Sequence, residues 1–176
     1  MTDNIIQGGS LANYSGSTLE KTIIGTLVSK GFLLVQYRDY VNYLKRHGEQ
    51  MTVEKYGTEL LLRNVPFQTI YNHPGNTEFL LQSERYNLDI RIEAKWQQSS
   101  GSVDEKFPYL YLNCLEAMPE SEIIIIVDGG GAKAGAINWL RNAVKKKIYT
   151  DEKTVEKNIQ VFNLTEFIVW VNKRFR

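Results

Sequence analysis

One cysteine, Cys114, in a chain of 176 residues excludes an internal disulfide, and its apolar setting reads as a buried thiol of a reducing compartment. Histidine is nearly as scarce. His47 and His73 have no spacing with Cys114 that suggests zinc, and no Ser-His-Asp pattern is visible. Long apolar runs are missing too: the longest aliphatic stretch, residues 123–127, falls far short of the ~20 residues that span a bilayer. The N-terminus has neither the basic start nor the apolar core of a secretory signal, so a cytoplasmic protein with no membrane partner is expected. Nor does one sign of charge dominate, with 21 Lys and Arg against 20 Asp and Glu. A nucleic acid would have to be held by a local patch. Repeats and low-complexity tracts are absent as well. What remains is ordinary soluble-globular material, and 176 residues fit a single domain, 1–176, with a sizeable core.

The pattern of the chain supplies candidate elements. Ser17 and Glu20 have the spacing of a capping box and Gly31 is a natural stop, predicting a helix over 17–30 with Leu19, Ile23, Ile24, Leu27 and Val28 as its apolar stripe. Residues 36–56, rich in Tyr, Lys and Arg, read as mixed helix and loop. Short strands at 59–63 and 67–71 are separated by Pro66, and 72–76 is a turn cluster. Ser102 and Glu105 form a second capping box, opening a helix to about residue 117 that Pro108 kinks or shortens. Residues 122–127 read as a fully buried strand. A glycine loop, a helix over 135–147, a strand over 159–162 and a helix over 165–173 capped by Asn163 with Glu166 complete the chain. This alternation of strands and helices predicts an α/β fold with a central mixed β-sheet flanked by α-helices.

The most informative stretch is 78–95, which reads as two strands around a turn at 84–87. Ile90, Ile92 and Ala94 alternate with Asp89, Arg91, Glu93 and Lys95, the period of a strand with one apolar face. A hairpin symmetric about Arg85 and Tyr86 sets Glu78 opposite Glu93, about 5 Å apart between Cβ atoms. The same register pairs Phe79 with Ile92 and Leu81 with Ile90, gathering the apolar residues on the other face, a sorting that a one-residue slip would destroy. Asp89 shares the strand face of Glu93 but lies roughly 13 Å along it, too far to share one ion. Two carboxylates, Glu78 and Glu93, with the Ala94 carbonyl, suit a hard divalent cation that keeps several waters. Lys95 shares their face and could steady an attacking water or the charge developing on a phosphate. The bland reading is a surface hairpin with an exposed Glu/Lys face.

Thr77-Glu78 followed by Glu93-Ala94-Lys95 resembles the PD-(D/E)XK motif, with Glu in place of the usual Asp and Thr77 at the prolyl position. The likeness extends to the stretch from Gln97 to Tyr109, which is similar to the pattern Q-x-x-x-G-S-x-x-E-K-x-P-Y of a branch of restriction-like nucleases. The strand–loop–helix at 123–140, with the glycine loop 129–135, resembles that branch too. These motifs cover about residues 75–142, and Glu20 matches the acid of the family's first helix. The resemblance implies a restriction-endonuclease-like core, Mg²⁺ or Mn²⁺ as cofactor and a nuclease activity. Residues 32–72 match nothing in it and are left as a possible specificity or dimer element.

Other residues stay open between two roles. Glu20 is either a metal-site carboxylate or the acid of its capping box. Gln97 continues the face of Glu93 and Lys95 and could contact phosphate or orient a water, or simply end an exposed strand. Lys106, at a helix start, could approach phosphate, as could Ser102 and Lys133. The glycine loop does not have the spacing of a nucleotide-binding P-loop. The dipole of a helix C-terminus is the simpler account of Lys145 to Lys147, with a phosphate-binding role for them, or for Lys45 and Arg46, as the lesser alternative. The expected function is a metal-dependent DNA endonuclease, restriction-like, acting as a homodimer and fitting a phage or mobile element. The alternatives are a branched-DNA resolvase and a non-cleaving nucleic-acid-binding or interaction module on the same fold.

Overall fold

The computed structural model describes residues 8–97 and 104–176, with the side chains described from residue 18 onward. Its centre is a six-stranded sheet in sequential order: β1 (Leu33–Gln36), β2 (Glu59–Gln68), β3 (Pro74–Ser83), β4 (Leu88–Trp96), β5 (Glu122–Asp128) and β6 (Asn158–Phe162). Strands β2, β3 and β4 form an antiparallel meander, while β1 runs parallel to β2 and β5 and β6 run parallel to β4. The five helices α1 (Gly8–Val28), α2 (Tyr37–Tyr56), α3 (Phe107–Leu112), α4 (Ala134–Lys145) and α5 (Leu164–Arg174) flank this sheet. The α/β class with a mixed sheet is thus the one expected. No described helix is long and apolar enough to cross a membrane.

Alternation along the central strands sorts the core into two layers. Ile90, Ile92 and Ala94 of β4, with Ile124 and Ile126 of β5, pack against Leu19, Ile23 and Leu27 of α1 and Phe167 and Val171 of α5. Ile123, Ile125 and Val127 instead meet Phe107, Leu110, Tyr111, Cys114 and Leu115 on one helical segment and Leu140 and Ala143 of α4. A third cluster joins Leu60, Leu62, Val65 and Leu80 to tyrosines of α2. Strand β5 is buried on both faces, which explains its unbroken aliphatic run.

Several local expectations need correction. Helix α1 starts at Gly8, so Ser17 and Glu20 lie inside it and form no capping box at its start. The two short strands around Pro66 are one strand, β2, since Pro66 stays paired with Asn76. Residues 37–56 are helical apart from a break at Gly48, whose φ of 79° is open to glycine at little cost. Strand β1 has no signature in the sequence, because four residues are too few to show a period. Pro108 neither kinks nor shortens its helix: it sits in the first turn of α3, where its missing N–H costs nothing. That helix follows a 3₁₀ turn, Asp104–Lys106, and ends in a π-helical turn, Asn113–Ala117. The second capping box begins at Ser102, which lies outside the described residues. The cap of α5 is as expected, with Asn163 and Glu166 satisfying each other's backbone N–H groups.

Ile124 is fully buried between β4 and the α1/α5 layer. Ile124→Ala should therefore lower unfolding free energy by about 2–5 kcal/mol in a urea titration. Val169→Ala, at an exposed position of α5, should change it by no more than ~0.5 kcal/mol.

Candidate active site

The antiparallel ladder between β3 and β4 carries the expected register, Phe79 opposite Ile92 and Leu81 opposite Ile90. It stops there. Continued, it would bring Thr77 opposite Ala94 in a hydrogen-bonded pair, but the Ala94 N–H donates instead to the Glu78 carboxylate at 2.9 Å. In an antiparallel strand a residue's N–H and C=O point to the same side, so the Ala94 carbonyl also faces this break. On the far side of β3, Asn64 and Glu78 form a gap in the β2–β3 ladder, between the pairs Arg63–Phe79 and Val65–Thr77. Asn64 adopts a φ of 58° there. Glu78 thus sits where both of its neighbouring ladders are interrupted.

Three ionisable side chains meet at the break. Lys95 Nζ lies 3.4 Å from Glu78 Oε1 and forms an ion pair with Glu93 Oε1. Glu93 is only 6% exposed, and its Oε2 is buried without a hydrogen-bond partner. Desolvation pushes its carboxyl up to about 8, with Lys95 opposing and Glu78 reinforcing the shift. For Lys95, burial acts to lower the ammonium's pKa, but Glu93 and Glu78 outweigh it and leave it raised. Its side chain is 31% exposed, while its ammonium lies against both carboxylates. Asp89 stands apart, accepting a hydrogen bond from Gln82 at 2.8 Å.

Residues without a sequence signal hold this arrangement. Arg91, 2% exposed, donates through Nη1 to Thr77 Oγ1 at 3.0 Å and through Nη2 to Glu120 Oε1 at 2.7 Å. Its Nε meets the second oxygen of Glu120, closing a bidentate pair. It thereby ties the residue preceding Glu78 to the chain entering β5. Nothing local announces a partner 29 positions away. Asp128, at the end of β5, accepts from Gly129 N at 2.6 Å and Leu164 N at 2.8 Å, fixing the glycine loop and the start of α5.

The other candidates fall around these three. Gln97 is buried at the end of β4, its N–H donating to Asp128 O at 2.9 Å and its C=O accepting from Gly131 N at 2.8 Å. Its Oε1 has no partner. Gly129, with φ of 106°, is required beside it, since a Cβ would lie 2.3 Å from Gln97 O. Glu20 faces Arg63, with Nη2 and Oε2 2.6 Å apart, an ion pair that engages its carboxylate. Lys106 and Lys133 are exposed, and the Lys133 N–H donates to Asp104. Neither ammonium touches the central cluster. Ser102 lies outside the described residues.

Among the described residues no group of three or more His, Cys, Asp and Glu side chains could hold a metal. The donor set at the break is two carboxylates and a carbonyl. All are hard oxygen ligands, and one carboxylate oxygen is buried and unpartnered, which fits a small divalent cation that keeps several waters.

Residues 11–175 match a family profile described as the PD-(D/E)XK nuclease superfamily domain, and the chain belongs to that superfamily. No curated protein and no solved structure matches it.

The raised pKa of Glu93 has a stability consequence in the metal-free protein. The folded state keeps the proton to about 8, whereas the unfolded carboxyl releases it near 4.5. The contribution is therefore present at low pH and is lost as pH rises through that window. In EDTA, the stability of the wild type relative to Glu93→Gln should fall between pH 5 and pH 8, measured by chemical denaturation. A constant difference across that range would show that Glu93 is not held protonated by burial.

Proposed function

We propose that this member of the PD-(D/E)XK nuclease superfamily is a metal-dependent DNA endonuclease. The observation that carries the reading is the buried, unpartnered Glu93 Oε2 beside Glu78, an arrangement that destabilises a metal-free fold and suits a cation. Glu78 and Glu93, with the Ala94 carbonyl, are the groups that would hold Mg²⁺ or Mn²⁺. Such an ion, when bound, lowers the pKa of a water and offsets charge on the scissile phosphate. Lys95 is held between the two carboxylates on a partly exposed side chain, so it can donate to a phosphate oxygen as negative charge builds there. Gln97, fixed by its backbone to the glycine loop, keeps a free carbonyl oxygen that can orient a water. Glu20 is assigned to the ion pair with Arg63 rather than to the metal.

A restriction-like enzyme of a phage or mobile element, cutting both strands as a cytoplasmic homodimer, is the setting we favour, because one such centre cuts one strand. Residues 1–176 would then act as one nuclease domain.

Incubation of plasmid, linear, branched and RNA substrates with wild type and Lys95→Ala, in Mg²⁺ and in EDTA, tests the reading. Wild type should cut DNA only with the metal, and Lys95→Ala should lose about 10²-fold or more in rate. Cleavage that persists in EDTA or is indifferent to Lys95 would contradict it. Cutting confined to branched substrates would move the assignment to a resolvase.

A further inference from the structure

A cleft of about 630 Å³ opens between the first limb of α2 and strands β2 and β3. Arg38, Asn42 and Lys45 line its helical wall at i, i+4 and i+7, so they lie along one face of α2. Its strand wall is Asn64, Pro66 and Asn76. Asn64 is the residue across β2–β3 from Glu78, and Asn76 precedes Glu78 by two positions, so two residues of the strand wall adjoin Glu78 along the sheet, while Glu78, Glu93 and Lys95 do not themselves line the cleft.

The chemistry of the lining is selective. Arg38 and Lys45 are exposed and, among the described residues, have neither an ion-pair nor a hydrogen-bond partner. Asp39 also lines the cleft, and Arg63 at its edge is neutralised by Glu20. Asn64 donates to Gln36 Oε1 at 3.1 Å, leaving its own amide oxygen to accept. Two free cations on one helical face, with amides on the facing strand wall, match a chain of phosphates and sugars. A small apolar ligand would leave those cations idle.

We infer that this cleft is a binding site for the sugar–phosphate backbone of a nucleic-acid strand, leading that strand to Glu78, Glu93 and Lys95. Arg38 and Lys45 contact phosphates, and Asn64 and Asn76 contact the strand nearest the site. The inference rests on the nuclease reading for its direction but not for its test. It gives residues of the otherwise unassigned 32–72 stretch a task, in a chain whose net charge of +1 offers no general attraction to DNA.

The test measures binding of a fluorescent 20-base-pair duplex in EDTA, where cleavage plays no part, across a range of salt. Wild type is compared with Arg38→Ala/Lys45→Ala and with Lys145→Ala/Lys146→Ala, a charge-matched change at exposed positions around the end of α4. The cleft variant should bind roughly tenfold or more weakly, and its log K against log salt slope should shrink by about 2, one unit per lost phosphate contact. The control should keep the wild-type slope. Wild-type affinity and slope in the cleft variant, an equal loss in the control, or no duplex binding by wild type would each overturn the proposal. Metal-dependent cleavage is then assayed on the same proteins, where the cleft variant should show a raised KM and a near-normal kcat. Absence of cleavage by a wild type whose duplex binding depends on Arg38 and Lys45 would remove the nuclease reading and leave the cleft standing.

Discussion

The bond from the Ala94 N–H to the Glu78 carboxylate is the contact on which the candidate site depends. A sheet satisfies its backbone by continuing, and a strand pair that separates must find other partners for the groups it frees. Here a side chain takes over one of those groups. Strands β3 and β4 can then part after Phe79–Ile92 without leaving a buried N–H unpaired. The parting creates the space in which Glu78, Glu93 and Lys95 converge, and it turns the Ala94 carbonyl toward them.

Keeping the break open requires charge in places a sheet ordinarily fills with apolar residues. Arg91 and Glu93 are both buried, two residues apart on one strand, and each would be costly alone. Arg91 is offset by a bidentate partner in Glu120 and by Thr77, and is fully engaged. Glu93 is not, since one of its oxygens lacks any partner. That asymmetry separates a charge satisfied within the fold from one left without a partner. The satisfied pair fixes the strands, and the unsatisfied carboxylate carries a desolvation cost that a cation would offset. The aliphatic layers above and below β5 supply the stability that such an arrangement consumes.

The central hairpin was legible because its information is local. Phe79, Leu81, Ile90 and Ile92 sort to one face in a single register, and extending that register points Glu78 toward Glu93 although the ladder itself stops at Phe79–Ile92. Helix α5 was legible for the same reason, through Asn163 and Glu166. What escaped was set by distant contacts. A capping-box pattern at Ser17 and Glu20 was overridden because α1 continues upstream, and Glu20 found a partner 43 positions away in Arg63. Pro66 was read as a breaker, yet β2 runs through it. The Arg91–Glu120 pair and the cleft beside α2 join segments that no periodicity links. Gly129 could be read as a turn residue, but its necessity comes from the Gln97 backbone pressing against it.

The central claim is that the interrupted ladder at Glu78 makes a two-carboxylate cation site. Anomalous diffraction from a crystal of the wild-type protein soaked in Mn²⁺ addresses it directly. A single strong peak should lie between the Glu78 and Glu93 carboxylates, within ligand distance of both and of the Ala94 carbonyl. The same crystal form of Glu93→Gln should show none. A peak absent from the break, or found only at other acids such as Asp104 or Asp151, would contradict the account.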